Sequence, residues 1–394
     1  MSVTAMGRFA TLVRRELWEH GAVRAVPFWI AILLVGVLGL AIIATEVTNG
    51  RVLSITLHVA KGEAEDTLNW QFPADDDAGG EGDSAGSRGE PLDPAESEAI
   101  AARLAALEFA LAQRFQGVTP PQFEVTELAD RYSVRISRLT VEQAIFLFRA
   151  LEPAEVQILV NLVFLGLGAL FNVVLVLTVL LYALDALYGE RRDRTALFWK
   201  STPVPDGEVV ASKAFVALLA APVLMLLAVG FTEFAVLGVW SLALWMTGAA
   251  PYATLWAHLH LLPALSELGA MLAFQTLWLT PIVGWLLLVS AAANKMPLFW
   301  AALTPLGIIF VERAILGSGR FNLLVGERLN GLARGFEMIA DGDPVERLGP
   351  NADPSAPWAT FAGLVDHPSV WGGVIVGLVL MAMAAYIRRL RSVY

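Results

Sequence analysis

The stretch VQILVNLVFLGLGALFNVVLVLTVLLYAL, Val156–Leu184, decides the fold: 29 consecutive residues contain no Asp, Glu, Lys or Arg. A helix rises about 1.5 Å per residue, so this run exceeds the roughly 30 Å of hydrocarbon in a bilayer. Lipid offers no partners to backbone N–H and C=O groups, so a single apolar run that crosses it must be helical. Five further charge-free runs follow the same logic: Ala25–Thr45, Ala214–Thr232, Leu268–Asn294, Met296–Val311 and Pro368–Ile387. The shortest, Met296–Val311, is expected to continue past Glu312. The first run is too long and starts too deep in the chain for a cleaved signal peptide.

Composition agrees. Of 394 residues, 56% are hydrophobic and 16% charged, and the mean hydropathy is +0.61. A soluble domain carries about 25% charge, so a soluble enzyme and a disordered scaffold are both excluded. With no cysteine there is no thiol nucleophile, Cys-zinc site or disulfide framework. The net charge of −10 comes without a basic face for nucleic acid.

Topology follows from the cations, because Lys and Arg favour the cytoplasmic side. They cluster at Arg8, Arg14, Arg15 and Arg24; at Arg191, Arg192, Arg194, Lys200 and Lys213; at Lys295; and at Arg388, Arg389 and Arg391. Six spans put all four clusters inside, with both termini cytoplasmic. A seventh span through Phe234–Leu262 would throw the last two outside. That stretch carries Trp240, Trp245, Tyr252 and Trp256, is broken by Gly248 and Pro251, and reads as an outer interfacial or re-entrant segment. The expected fold class is an all-α membrane protein with an enlarged outer domain between spans one and two. Its expected divisions are an interfacial elbow, 1–24; spans 25–45, 155–184, 214–233, 263–294, 296–316 and 368–387; extracytoplasmic segments 46–154 and 317–367; a cytoplasmic segment, 185–213; and a tail, 388–394.

Within 46–154, the acidic Gly/Ser-rich tract Ala74–Glu98 reads as a flexible loop. Ala99–Phe115 reads as a helix, with Ile100, Leu104, Leu107 and Leu111 near one face. Ser133–Ile136 reads as a short strand, and Thr140 with Gln143 as a capping box opening a helix to Leu151. In the second outer segment, Phe321, Leu324, Val325, Leu329 and Leu332 outline an amphipathic helix. Gly373 and Gly377 form a small-residue contact face of the type that lets helices approach closely, between two copies of the chain or within one.

Two segments carry the functional argument. In Arg8–His20, Phe9, Leu12, Val13 and Leu17 share one face, as in a basic amphipathic helix lying along the inner interface. Residues 185–213 pass from mixed charge (Tyr188, Glu190, Arg191, Arg192, Arg194) to Leu197, Phe198, Trp199 and Lys200, then to Pro203 and Pro205. The prolines end one helix, Asp206 is placed to cap the next, and Lys213 enters the membrane with its head free to snorkel. A short stiff element tied to a span at each end is suited to receiving force from a partner.

These residues resemble the permease subunits of ATP-binding-cassette transporters of the type-2 exporter class. The resemblance rests on Tyr188-Gly-Glu-Arg-Arg-Asp-Arg-Thr195, Trp199-Lys-Ser-Thr-Pro203-Val-Pro, and the helix start Glu208-Val-Val-Ala-Ser-Lys213. Leu12-Val-Arg-Arg-Glu16-Leu-Trp-Glu-His20 resembles the family's elbow helix. The outer loop Glu46–Ala154 is longer than in many members. The resemblance implies a permease paired with a second copy or a paralogue in a bacterial cytoplasmic membrane, with two cytoplasmic ATPase subunits. Tyr188, Glu190, Arg191, Arg192, Arg194, Phe198, Trp199 and Lys200 would couple to those ATPases, the aromatics in a cleft and the charges at its rim. No phosphate-binding Gly-rich loop occurs in the sequence, so ATP hydrolysis is expected in the partner and no cofactor or catalytic residue here.

Four polar residues in or beside the spans are candidates for a transport pathway. Asn161 and Asn172 lie 11 residues apart, on one side of the second span, where they line a cavity or bond a neighbouring helix. Glu233 and Glu267 are placed near the outer interface by their distances from Lys213 and Lys295, as solvated acids or as groups in substrate exit or proton coupling. His258 and His260 are spaced for ligands on a strand, in a region that does not read as one, so a metal site is not expected. Two other classes compete with the exporter: an ion-coupled secondary transporter using Glu233 and Glu267, and a membrane-anchored sensor or enzyme acting through the outer domain. The latter would have to work with His58 as the one histidine of 46–154.

Overall fold

The computed structural model describes residues 5–47, 54–60, 122–127, 131–137, 140–193, 204–340 and 344–391. Six helices among them are long and apolar enough to cross a membrane: Gly21–Ala41, Pro153–Arg192, Asp206–Met246, Leu262–Ala292, Pro297–Leu316 and Pro368–Leu390. They correspond one for one to the charge-free runs and are called the first to sixth spans. This is the pattern of a multi-pass membrane protein.

The chain divides into two compact units, one of Met1–Val35, Pro153–Gly238 and Leu255–Tyr394, the other of Gly36–Glu152 and Val239–Thr254. In the first unit the fourth span is central and the most buried of the six. The second span lays Val160, Phe164, Phe171, Leu175, Val179 and Tyr182 into the core at spacings of three, four or seven, while Leu162, Leu170, Leu177 and Leu181 face outward. Gly284 of the fourth span and Gly377 of the sixth meet backbone to backbone: a β-carbon built on Gly284 would lie 2.6 Å from the Gly377 carbonyl oxygen. The small-residue face of Gly373 and Gly377 is therefore used within the chain. Gly373 lies against the Arg328 side chain, leaving no room for a second copy at these two positions.

The third span departs from expectation. Its helix passes through Glu233 and continues unbroken to Met246. One carboxylate does not end a helix, because Glu is a good helix former and Phe234–Met246 is otherwise uncharged. The break falls at Gly248, whose φ of +74° is readily open only to glycine, followed by Pro251. Residues 234–246 thus continue the third-span helix and do not turn back within it. Near its other end the same helix contains a π turn, Val216–Ala220, two residues before Pro222.

The fifth span ends in a second π turn, Glu312–Leu316. The Glu312 carboxylate accepts hydrogen bonds from Ser318 Oγ (2.7 Å) and from the amides of Arg320 and Phe321 (both 2.9 Å). It thereby caps the following amphipathic helix, Arg320–Ala340. Between spans four and five run only Ala293–Met296, with Met296 left-handed at φ 50°. Arg191 donates to the Ala293 carbonyl (2.8 Å) and Arg391 to Asn294 Oδ1 (2.7 Å), so the turn is moored from two sides.

The second unit adds a small sheet to the largely helical described residues. It holds a three-stranded antiparallel sheet in the order β1-β3-β2, with β1 Ser54–Ala60, β2 Gln122–Glu127 and β3 Arg131–Ser137. Ser54 and Gln122 both stand opposite Ser137, and Leu57 and Val125 both opposite Val134. The strand expected at Ser133–Ile136 is therefore the central one. A strand needs partners, and β1 reaches its partner across a long stretch of sequence that gives no local sign of pairing. The capping box is present: the Gln143 amide donates to Thr140 Oγ1 (3.2 Å) and the Thr140 amide to Gln143 Oε1 (2.9 Å), opening the helix Val141–Ala150. Phe148 of that helix stacks on Trp240 at 5.7 Å. The expected loop 74–98 and helix 99–115 lie outside the described residues.

Candidate functional site

The N-terminal helix, Ala5–Glu19, buries Leu12 and packs Val13 and Leu17 on the core. Glu16 falls on this apolar side, 1% exposed, and a carboxylate in such a position requires a cation. Lys213, at the start of the third span, supplies it: Nζ lies 2.9 Å from both Glu16 oxygens and 3.1 Å from Glu190 Oε1. The lysine is 0% exposed, so it does not snorkel; with two carboxylates inside, its head is held there. Tyr182 Oη donates to Glu16 Oε2 (3.2 Å).

Glu190, on the short helix Tyr188–Arg192 that ends the second span, is the other centre. Its Oε1 also receives Arg15 (3.0 Å) and its Oε2 receives Arg388 from the end of the sixth span (3.0 Å). Arg388 reaches Asp206 (3.4 Å), and Arg8 pairs with Glu208 (3.2 Å). Burial works against the charge of Arg15, but its hydrogen bond to Glu19 and the nearby charges of Glu190, Glu19 and Glu16 hold its pKa above the ordinary value. The carboxylates of Glu16, Glu19 and Glu190 come within 4.8 Å of one another, yet Lys213 and Arg15 already bridge them. The cluster gathers the N-terminal helix, the end of span two, the start of span three and the end of span six at one end of the helices. Asp206 begins its helix without a side-chain cap and serves this cluster instead.

The other expected coupling residues divide. Arg191 turns inward and donates to the carbonyls of Ser290 and Ala293, while Ser290 Oγ accepts from the amides of Leu187 (3.0 Å) and Tyr188 (2.9 Å). Glu190 is therefore an internal tie, its carboxylate taken up by Lys213, Arg15 and Arg388, while Arg191 is fastened through two main-chain carbonyls. Arg192 remains at the surface, 3.0 Å from Asp193 and over the Tyr188 ring. Arg194, Phe198, Trp199 and Lys200 lie outside the described residues.

The four pathway candidates do not converge. Asn161 Nδ2 donates to the carbonyls of Leu348 (2.9 Å) and His260 (3.3 Å). Glu267, buried, holds Arg347 through a two-pronged contact at 2.9 and 2.7 Å. Both fasten the short helix Pro344–Leu348. Asn172 Nδ2 contacts Met271 Sδ (3.7 Å). Glu233 is buried, and its Oε2 has no hydrogen-bond partner among the described residues. Neither glutamate is a solvated acid: helix packing encloses one, and an arginine neutralises the other. The side chain of His258 is outside the description, and His260 is tied through its carbonyl.

No protein-family model, curated protein or solved structure matches this chain. Chemically, the Glu16–Glu190 cluster is suited to mechanics. Its acids are paired with its bases, and they join helices that are remote in sequence.

Proposed function

We propose that this chain is the membrane permease subunit of an ATP-binding-cassette exporter, working with a second copy or a paralogue and driven by two separate cytoplasmic ATPase subunits. The observation that carries the reading is the buried cluster around Glu190 and Lys213. Glu190, on the short helix Tyr188–Arg192, and Lys213, on the helix that starts at Asp206, fasten both sides of the sequence 194–203 to this cluster. A push on Phe198 and Trp199 by a partner would be passed to all four of its helices together. The cationic clusters support a cytoplasmic position for this end. A bacterial inner membrane is the expected location, with residues 46–154 expected to be extracytoplasmic.

The test is purification of the tagged full chain from native membranes, with the expectation of an ATPase bearing a phosphate-binding loop at equal stoichiometry. The double variant Phe198→Ala/Trp199→Ala should then insert normally but bind that ATPase about 30-fold more weakly. That is the effect of losing one aromatic anchor worth about 2 kcal/mol, and it should stop ATP-driven transport. Unchanged association and transport would end the proposal. Glu233 favours one competing reading: transport by the chain alone in proteoliposomes under an imposed proton gradient would instead make it a secondary carrier.

A further inference from the structure

Four arginines lie in or beside the N-terminal helix, and the structure divides them two and two. Arg8 is held by Glu208, and Arg15 by Glu19 and Glu190, on the side that packs against the protein. Arg14 and Arg24 are exposed, and neither meets an acid among the described residues. Both acids of the helix are committed elsewhere, Glu16 to Lys213 and Glu19 to Arg15. The outward side is therefore left with positive charge only.

Trp18 belongs to that side. It is 64% exposed and follows Arg14 by one helical turn, so the two share a face. The Arg24 guanidinium lies over its ring, 4.9 Å from the centroid. Arg24 reaches the ring across the corner at His20, which is fixed by hydrogen bonds from the His20 amide to the Glu16 carbonyl (2.9 Å) and from the Val23 amide to the His20 carbonyl (3.0 Å). A stacked guanidinium keeps the N–H donors along its edge, in the fork geometry that takes phosphate oxygens in pairs.

The apolar side of this helix does not enter lipid. Leu12 is buried, Val13 and Leu17 pack on the core, and Phe9 meets Phe215 of the third span edge-on at 5.6 Å. The face turned outward is the one with Arg14 and Trp18. The first span starts at Gly21, so Trp18 and Arg24 flank its beginning, where tryptophan and lipid headgroups share a level.

We propose that Arg14, Trp18 and Arg24 form a binding site for the headgroup of an anionic phospholipid. The phosphate is taken by the free edge of Arg24 and by Arg14. A zwitterionic headgroup brings its own cation to two arginines with no acid nearby to receive it, whereas phosphatidylglycerol brings negative charge alone. The first span then exposes Trp29, Leu33 and Val37 at four-residue spacing, so acyl chains find an apolar surface on the same span. The assignment goes beyond the exporter reading and does not depend on it.

The test is native mass spectrometry of the detergent-solubilised full chain, titrated with dioleoylphosphatidylglycerol or dioleoylphosphatidylcholine. Wild type should retain phosphatidylglycerol at concentrations where phosphatidylcholine is lost. Arg14→Gln/Arg24→Gln should weaken the first phosphatidylglycerol adduct about 30-fold, the equivalent of about 2 kcal/mol for two arginines near a membrane surface. Both side chains are exposed, so the fold does not depend on them. Arg313→Gln/Arg320→Gln removes the same charge from exposed positions at and after the end of the fifth span and should change nothing. Equal retention of the two lipids by wild type, or equal losses in the two double variants, would overturn the assignment. Displacement of phosphatidylglycerol by glycerol 1-phosphate at the same concentration would also overturn it, in favour of a site for a free phosphate ester.

Discussion

Replacing Lys213 by Met should destabilise the protein by about 3–5 kcal/mol, the usual cost of removing one partner from a buried ion pair. Met keeps the length of the side chain and most of its packing, so the loss is one of charge. Without the ammonium, Glu16 and Glu190 face each other across a space that water does not reach, since both are buried and Lys213 is wholly enclosed. Arg15 and Arg388 still hold Glu190, whereas Glu16 keeps, among the described residues, Tyr182 and a longer contact to His20 at 3.5 Å. The decisive comparison is the double variant Glu16→Leu/Lys213→Met. A buried pair exchanged for apolar residues of similar size is often close to neutral, so the double variant should recover most of what the single one loses. Thermal unfolding in detergent, followed by tryptophan fluorescence, measures both. Additive losses, or a single variant as stable as wild type, would mean that the cluster does not hold these helices together.

Gly377→Ala is the second large effect. A β-carbon on Gly377 would lie 2.7 Å from the Thr280 carbonyl oxygen and 2.8 Å from the Thr280 carbonyl carbon. Backbone cannot step aside as a side-chain tip can, so spans four and six must separate along their contact. Overpacking in well-filled interiors costs about 1–3 kcal/mol and occasionally more, and an obstruction by main chain belongs at the upper end. Gly372→Ala provides the control. It adds the same methyl group on the same helix, but nothing lies within 4 Å of the new carbon, and no loss is expected. The absence of cysteine gives a direct readout, because cysteine pairs introduced across the two helices would be the only thiols in the chain. Their oxidative cross-linking should fall in Gly377→Ala and persist in Gly372→Ala. Equal cross-linking in both variants would count against this contact.

The spans were legible because the bilayer imposes one crude rule, length without charge, and six runs obey it. The end of the third-span helix is not legible at Glu233, because a single carboxylate can be carried inside a long helix when its neighbours enclose it. Lys213 was read as snorkelling because its partners are remote; Glu16 lies 197 residues away in sequence. A signal was nevertheless present. Phe9, Leu12, Val13, Glu16 and Leu17 follow the spacing of one helical face, and an acid in that row calls for a buried cation. Strand β3 was visible from its own residues, but its two partners were not, because a sheet is specified by pairing and pairing leaves little trace in a single segment. Asn161 and Glu267 had the right chemistry for a pathway. Only the folded chain brings Arg347 and the Leu348 carbonyl to them, and so gives them a fastening role.

The turn between the fourth and fifth spans has an evolutionary consequence. Ala293–Met296 reverses the chain in four residues, one of them in a backbone region that costs a non-glycine residue about 1–2 kcal/mol. Both Arg191 and Arg391 grip it. One added or deleted residue would shift the grip points past their arginines and turn the following helix by about 100°. In any set of diverged homologues, alignment columns 293–296 should therefore be free of gaps, even where the side chains themselves have changed.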